Sequence, residues 1–236
     1  MIKKELQSYF YSPIGYLVIA LFIIFNGLFL FVFKTDFNIL NAGFADLNSF
    51  FYLNPWLFIF LIPALTMRSF SDEIQAGTIE ILKTKPISNW QIVLGKFFSS
   101  LTLILIMLLL SLIYVYTIYQ LGNPIGNIDF ASTFGAYLGL LLMASSFISI
   151  GLFTSTLSNN QVIAFLLAVF VSFLLFYGFE FISDFSNNSN LFIKNLGIHE
   201  HFKNISRGII DTRDLIYFGS LTTFFLILTY LKVERL

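Results

Sequence analysis

Six long apolar stretches constrain this chain more than any other feature. Residues 14–33 run for twenty positions with only Asn26 polar, and residues 97–119 and 134–156 run for twenty-three each without a charge. Residues 162–183 carry one charge, Glu180, near their end; residues 51–67 and 215–231 are shorter, at seventeen each. A bilayer core about 30 Å thick takes about 20 apolar residues of helix, so the pattern predicts six transmembrane helices. Composition agrees: 57% of residues are hydrophobic and 11% charged, against about 25% charged in a soluble domain. So few charges cannot cover a globular surface. Thirteen Lys and Arg balance thirteen Asp and Glu, leaving no basic field for nucleic acid. Cysteine is absent, which removes disulfides and thiolate chemistry.

The predicted fold is therefore an all-α integral membrane protein, one six-helix domain over residues 1–236. The first stretch reads as a retained helix rather than a cleaved leader, because Lys34, Thr35, Asp36 and Phe37 follow it with no small-x-small site. An even number of spans places both ends on one side. That side takes eight Lys and Arg, the other five (Lys34, Lys194, Lys203, Arg207, Arg213), so the positive-inside rule puts both termini in the cytoplasm. The longest loops, residues 68–96 and 184–214, fall short of the roughly 40 residues a self-folding domain needs. Gly95-Lys96 lacks the glycine spacing of a P-loop. Any ATP that drives this chain is hydrolysed elsewhere.

Residues 68–96 are the most informative. Ser69 and Asp72 have capping-box spacing, predicting a helix start, with Ile74, Thr78, Ile81 and Leu82 on one face. Glu73, Gly77 and Glu80 would lie on another, and Pro86 would end the helix. Ser88 and Gln91 make a second capping box, with Ile87 placed to staple onto Ile92, opening a helix into the third span. An amphipathic helix that only anchors a loop at the membrane usually carries lysine and arginine on its polar face. Asp72, Glu73 and Glu80 instead predict an acidic face for a protein partner.

At this loop the sequence resembles the permease subunits of ABC-2 type transporters. These carry a stretch like F-x-x-E-x-x-x-G-T-x-E-x-L-x-x-x-P ending near G-K, matched by Phe70, Glu73, Gly77, Thr78, Glu80, Leu82, Pro86, Gly95 and Lys96. The likeness continues at STLSNNQVIAFLLA (155–168) and HFKNISRGIIDTRDLIYF (201–218). Within that family the chain is most similar to the permease of the gliding-motility-associated ABC transporter. The resemblance implies a separate ABC ATPase docked on the cytoplasmic loop and holding the ATP and Mg, a second permease half, and in the gliding group an auxiliary membrane protein. It implies coupling roles for Glu73, Gly77, Thr78, Glu80 and Leu82, no catalytic residue or cofactor in this chain, and residence in the bacterial inner membrane.

Other features admit plainer readings. Gly135 and Gly139, continued by Ser145 and Ser149, form a small-residue face for a subunit interface or, more commonly in a six-helix protein, for internal packing. Glu180 lies close enough to its span's outer end to reach headgroups and water. His199-Glu200-His201 reads as a polar, water-facing stretch of an interfacial helix, its apolar side drawn from Leu191, Phe192, Ile193, Leu196 and Ile198; two histidines at i and i+2 share a strand face but no helix face for a metal. Trp56 and Trp90 are placed near interfaces, and Asn26, Asn54, Pro55 and Pro63 read first as structural groups. An ion-gradient-driven carrier is the alternative function, but its internal repeat and buried charges are missing from the pattern. An intramembrane enzyme would need a catalytic set that the spans do not offer.

Overall fold

The computed structural model describes residues 2–42, 46–79, 88–185 and 194–235. It is all-helical, and six helices are long and apolar enough to cross a membrane. The first element, α1 (Ile2–Tyr11), is a short amphipathic helix that packs against the third span. Ser12 then caps α2 (Pro13–Gly27), accepting from the Ile14 amide, with proline at the first helical position where no amide hydrogen is needed. The first span ends in a widened turn, Leu28–Val32, closed by Phe33 N–H donating to Leu28 O at 2.8 Å. A single turn, α3 (Ile39–Ala42), follows.

The second span, α4 (Asn48–Thr66), does not stop at the membrane. Met67 keeps helical dihedrals (φ −53, ψ −33), and α5 (Arg68–Gln75) continues in line. The start expected at Ser69 and Asp72 is therefore a continuation: the first amides of α5 have carbonyls upstream and need no side-chain cap. α5 ends at Gly77, whose φ of +65 is the left-handed conformation glycine adopts without strain. The third span, α6 (Asn89–Leu121), opens with the Ser88–Gln91 capping box as expected. It is followed by α7 (Phe130–Ser155) and by the fifth span, α8 (Gln161–Phe173), which passes through a widened turn at Leu174–Gly178 into α9 (Phe179–Phe185). A short helix, α10 (Ile198–Ser206), precedes the sixth span, α11 (Thr212–Arg235).

The fourth span, α7, is the centre of the bundle and touches α4, α5, α6, α8, α10 and α11. Its small residues allow this, because lipid competes equally for apolar side chains and close backbone approach is what remains to favour helix pairing. Gly151 lies so near Thr66 that a Cβ there would stand 2.0 Å from its Oγ1. The core runs through Phe22, Phe50, Phe58, Ile62, Met143 and Phe147, all fully buried. Both chain ends, α5, and the turn before α8 lie at one face, called the terminal face below. Residues 33–42, 46–47, 122–129 and 194–211 lie at the opposite face.

Candidate coupling site at the terminal face

Three elements meet around one amine. Lys96, two turns into α6, is 2% exposed, and its Nζ donates to Glu73 Oε1 of α5 at 2.7 Å. Glu5 Oε1 of α1 lies 3.6 Å away, and the ring of Phe70 lies 5.0 Å from the ammonium. A buried cation without a counter-charge is strongly unfavourable, so the local fold is built to deliver carboxylates to it. α1 is held for this by Tyr9, whose hydroxyl is 3.0 Å from Ser100 Oγ, and by Gly15, where a Cβ would lie 2.6 Å from Tyr9 O. Burial raises the Tyr9 phenol above its ordinary pKa, while the Ser100 and Ser69 hydroxyls and the Lys96 charge pull the other way. Tyr9 braces α1 against α6 through its hydroxyl contact with Ser100.

A second clasp stands beside the first. Arg68 Nε donates to Gln161 Oε1 at 3.0 Å, and Gln161 Nε2 donates to Asp72 Oδ1. One glutamine at the start of α8 thus joins both charged residues on one side of α5. Between the clasps lies a polar cavity of about 270 Å³, reached by Glu5, Tyr9, Arg68, Asp72, Glu73 and Lys96.

The residues singled out in the sequence fall into distinct places. Glu73 faces Lys96 and Asp72 faces Gln161, so these two acids are turned into the bundle rather than displayed. The expectation of an acidic outward face is corrected for them, because the buried lysine and the clasping glutamine claim them. Gly77 and Thr78 are exposed at the turn, with Thr78 Oγ1 donating to Glu73 O at 3.3 Å. Glu80 and Leu82, with Ile81, Pro86 and Ile87, lie outside the described residues. The sequence holds one signal for Lys96 beyond its place in the motif: a lysine among Val93, Phe97, Ser99 and Ser100 at the head of an apolar span must find an anion.

The small-residue face of α7 is occupied within the chain. A Cβ on Gly135 would stand 2.9 Å from Ile205 O, and one on Gly139 would stand 3.3 Å from the Phe202 ring. Ser145 Oγ reaches Thr222 Oγ1 of α11 at 3.1 Å, and Ser149 Oγ donates to Ser146 O at 2.7 Å.

At the opposite face the polar residues around His199 and His201 are paired with one another. Glu180 pairs with Lys194 at 3.4 Å and faces His199 Nε2 at 3.8 Å, and so does not simply reach outward to water. His201 sits between Asp214 Oδ1 at 2.6 Å and Asn195 O at 2.8 Å, stacked on Tyr217. The two histidines serve different neighbours, and among the described residues no three metal-ligating groups converge. Trp90 stacks on Tyr230 at the terminal face, whereas Trp56 lies deeper, against Phe173, Phe176 and Tyr177. Asn26 and Asn54 are fully buried and exchange amide hydrogen bonds at 3.3 and 3.1 Å.

Compared with models of protein families, residues 1–233 match the one described as ABC-2 family transporter protein. A comparison with curated proteins gave no match. Membrane subunits of this family carry no ATPase activity or cofactor of their own and generally pair with an ABC ATPase. Spanning nearly the whole chain and six apolar helices, the match identifies this multi-pass membrane protein as a member of the ABC-2 family, the permease component of a transporter.

Proposed function

We propose that this chain is one half of an ATP-driven exporter in the bacterial inner membrane. Both termini and the loop between the second and third spans face the cytoplasm, and a separate ATPase subunit docks on that loop. The Lys96 joint supports this reading above all. It locks α5, α6 and α1 together at the root of the loop, and α5 and α6 run unbroken into two spans. A push on the exposed turn at Gly77 and Thr78 is then carried by helix rather than absorbed by coil. Glu73 holds the joint, Gly77 and Thr78 present the turn, and Glu80 and Leu82 extend the docking segment by their place in the motif. A second permease half, identical or related, completes the path. Service to gliding motility, with an auxiliary membrane protein, rests on the sequence resemblance alone.

The absence of cysteine makes a direct test simple. Thr78→Cys supplies the one thiol in the chain, exposed at the turn. A membrane-impermeant maleimide should label it in inverted vesicles and not in intact cells, and bound ATPase should slow the labelling. Labelling from outside intact cells, or a rate indifferent to saturating ATPase, would refute the docking site. Unchanged colony spreading in a deletion strain would remove the motility assignment alone.

A further inference from the structure

At the face opposite the chain ends, the first turn of α4, the first turn of α7 and helix α10 enclose a cleft of about 370 Å³. Its walls differ. Phe51, Tyr52 and Phe202 form an aromatic side, while Lys203 and Arg207, with His199 beside them, form a basic one. A smaller void continues from it toward Trp56.

The basic side is only partly neutralised by its surroundings. Glu200 is shared between Lys194 at 3.7 Å and Lys203 at 3.8 Å, and Glu180 is shared between Lys194 and His199. Asp214 is taken by His201. Asp46, Asp129 and Asp211 accept from backbone amides at turns and helix starts. Arg207 has no ion pair among the described residues, and residues 43–45 and 186–193 contain no acid that could supply one. Cations at the end of α10 suit its dipole, but that accounts neither for the aromatic wall across from them nor for the cleft between. The cleft also lies where α4 and α7 begin, at the boundary between apolar core and water.

An anionic head joined to an apolar body fits both walls at that depth. We propose that the cleft binds the phosphate-bearing headgroup of an anionic lipid in the leaflet on this side. Arg207 and Lys203 meet the phosphate, and Phe51, Tyr52 and Phe202 pack the glycerol and the first methylenes. The site is independent of where the ATPase docks.

The chain has two tryptophans, Trp56 beside the cleft and Trp90 at the other face. Trp90→Phe therefore leaves one reporter. The Trp90→Phe protein is reconstituted in phosphatidylcholine vesicles, and its fluorescence is titrated with phosphatidylglycerol or phosphatidylcholine brominated close to the acyl carbonyl. Phosphatidylglycerol should reach half-quenching at a mole fraction about five- to twentyfold lower, given the attraction of two basic residues. Lys203→Gln with Arg207→Gln should bring the two lipids together; Lys203→Arg with Arg207→Lys should keep them apart. Equal quenching by both lipids would overturn the proposal, as would a preference that survives the double glutamine variant. Abolition of quenching by millimolar free glycerol phosphate would also overturn it, because the occupant would then be a soluble anion.

Discussion

Replacing Lys96 by methionine keeps a long apolar stem in place and removes the ammonium that joins α1, α5 and α6. Breaking a fully buried pair costs about 3–5 kcal/mol. Here the carboxylates that lose their partner are 17% and 20% exposed, so water recovers part of that, and about 2–3 kcal/mol is expected. Glu73→Gln removes the 2.7 Å charge-assisted bond but leaves Lys96 the Glu5 carboxylate, for a cost of about 1.5 kcal/mol. Glu5→Gln acts on a 3.6 Å contact and should cost less than about 1 kcal/mol. At about 2–4 °C per kcal/mol for a chain of this size, Lys96→Met should melt about 4–12 °C below the wild type. The readout is the monodisperse fraction of detergent-solubilised protein after heating. The order of loss should be Lys96→Met, then Glu73→Gln, then Glu5→Gln. The double variant Lys96→Met with Glu73→Gln should melt above Lys96→Met alone, because it removes one of two carboxylates left facing each other. A Lys96→Met protein within about one degree of the wild type, or a double variant worse than both singles, would refute the ion-paired joint.

Four further outcomes follow from particular positions. Gly151→Ala should destabilise by about 1–3 kcal/mol, since its Cβ would meet Thr66 at 2.0 Å. Gly219→Ala, with nothing within 4 Å, should be neutral or slightly stabilising in the same heating assay. Asn26→Leu should cost about 1–2 kcal/mol by stranding the Asn54 amide in the bundle, and Asn26→Leu with Asn54→Leu should recover most of it. Burial holds the His199 pKa below the ordinary histidine value, against the pull of Glu180 and Glu200. The unfolded chain therefore takes up a proton below about pH 6.5 that the folded chain resists, and stability falls as pH falls through that range. The melting temperature should drop less between pH 7.5 and 5.5 in His199→Gln than in the wild type; an equal drop would remove His199 as the cause.

The six spans were legible because an apolar run of that length has one use in water. Their ends were not, because hydropathy marks where lipid stops and not where the backbone ladder stops. The helices of the second, third and sixth spans run on through polar residues such as Arg68–Gln75 and Asn89–Lys96. Ser88–Gln91 was legible and Ser69–Asp72 misleading for one reason. The same four-residue spacing occurs at a true start and inside a continuing helix, and only Met67's helical dihedrals decide. The joint was half visible. Glu73 stood out in the motif, but its partner is twenty-three residues away in sequence, and no local pattern announces such a pair. Helix α1 is not legible in the sequence because its ten residues are too short and mixed to carry a membrane signal.

The polar contacts share a placement with a mechanical consequence. Within lipid, apolar packing between helices sets no strong register, because acyl chains match a leucine face as well as another helix does. Register here is set by Asn26 against Asn54 for the first two spans, by Ser145 and Ser146 against Thr222 for the fourth and sixth, and by Lys96 for α1, α5 and α6. The fifth span differs. Its inward side is small, Ala164, Ala168 and Ser172, and most of its other residues are exposed. It is tied to α5 at the terminal face through Gln161, and α9 reaches the Lys194 and His199 cluster through Glu180. A displacement of α5 thus has two routes out of the joint. One is rigid, through Lys96 into α6; the other runs through a single glutamine into the span with the smallest buried share. If the transporter moves one span more than the rest, the physical case points to the fifth, and Gln161 is the contact through which α5 would move it.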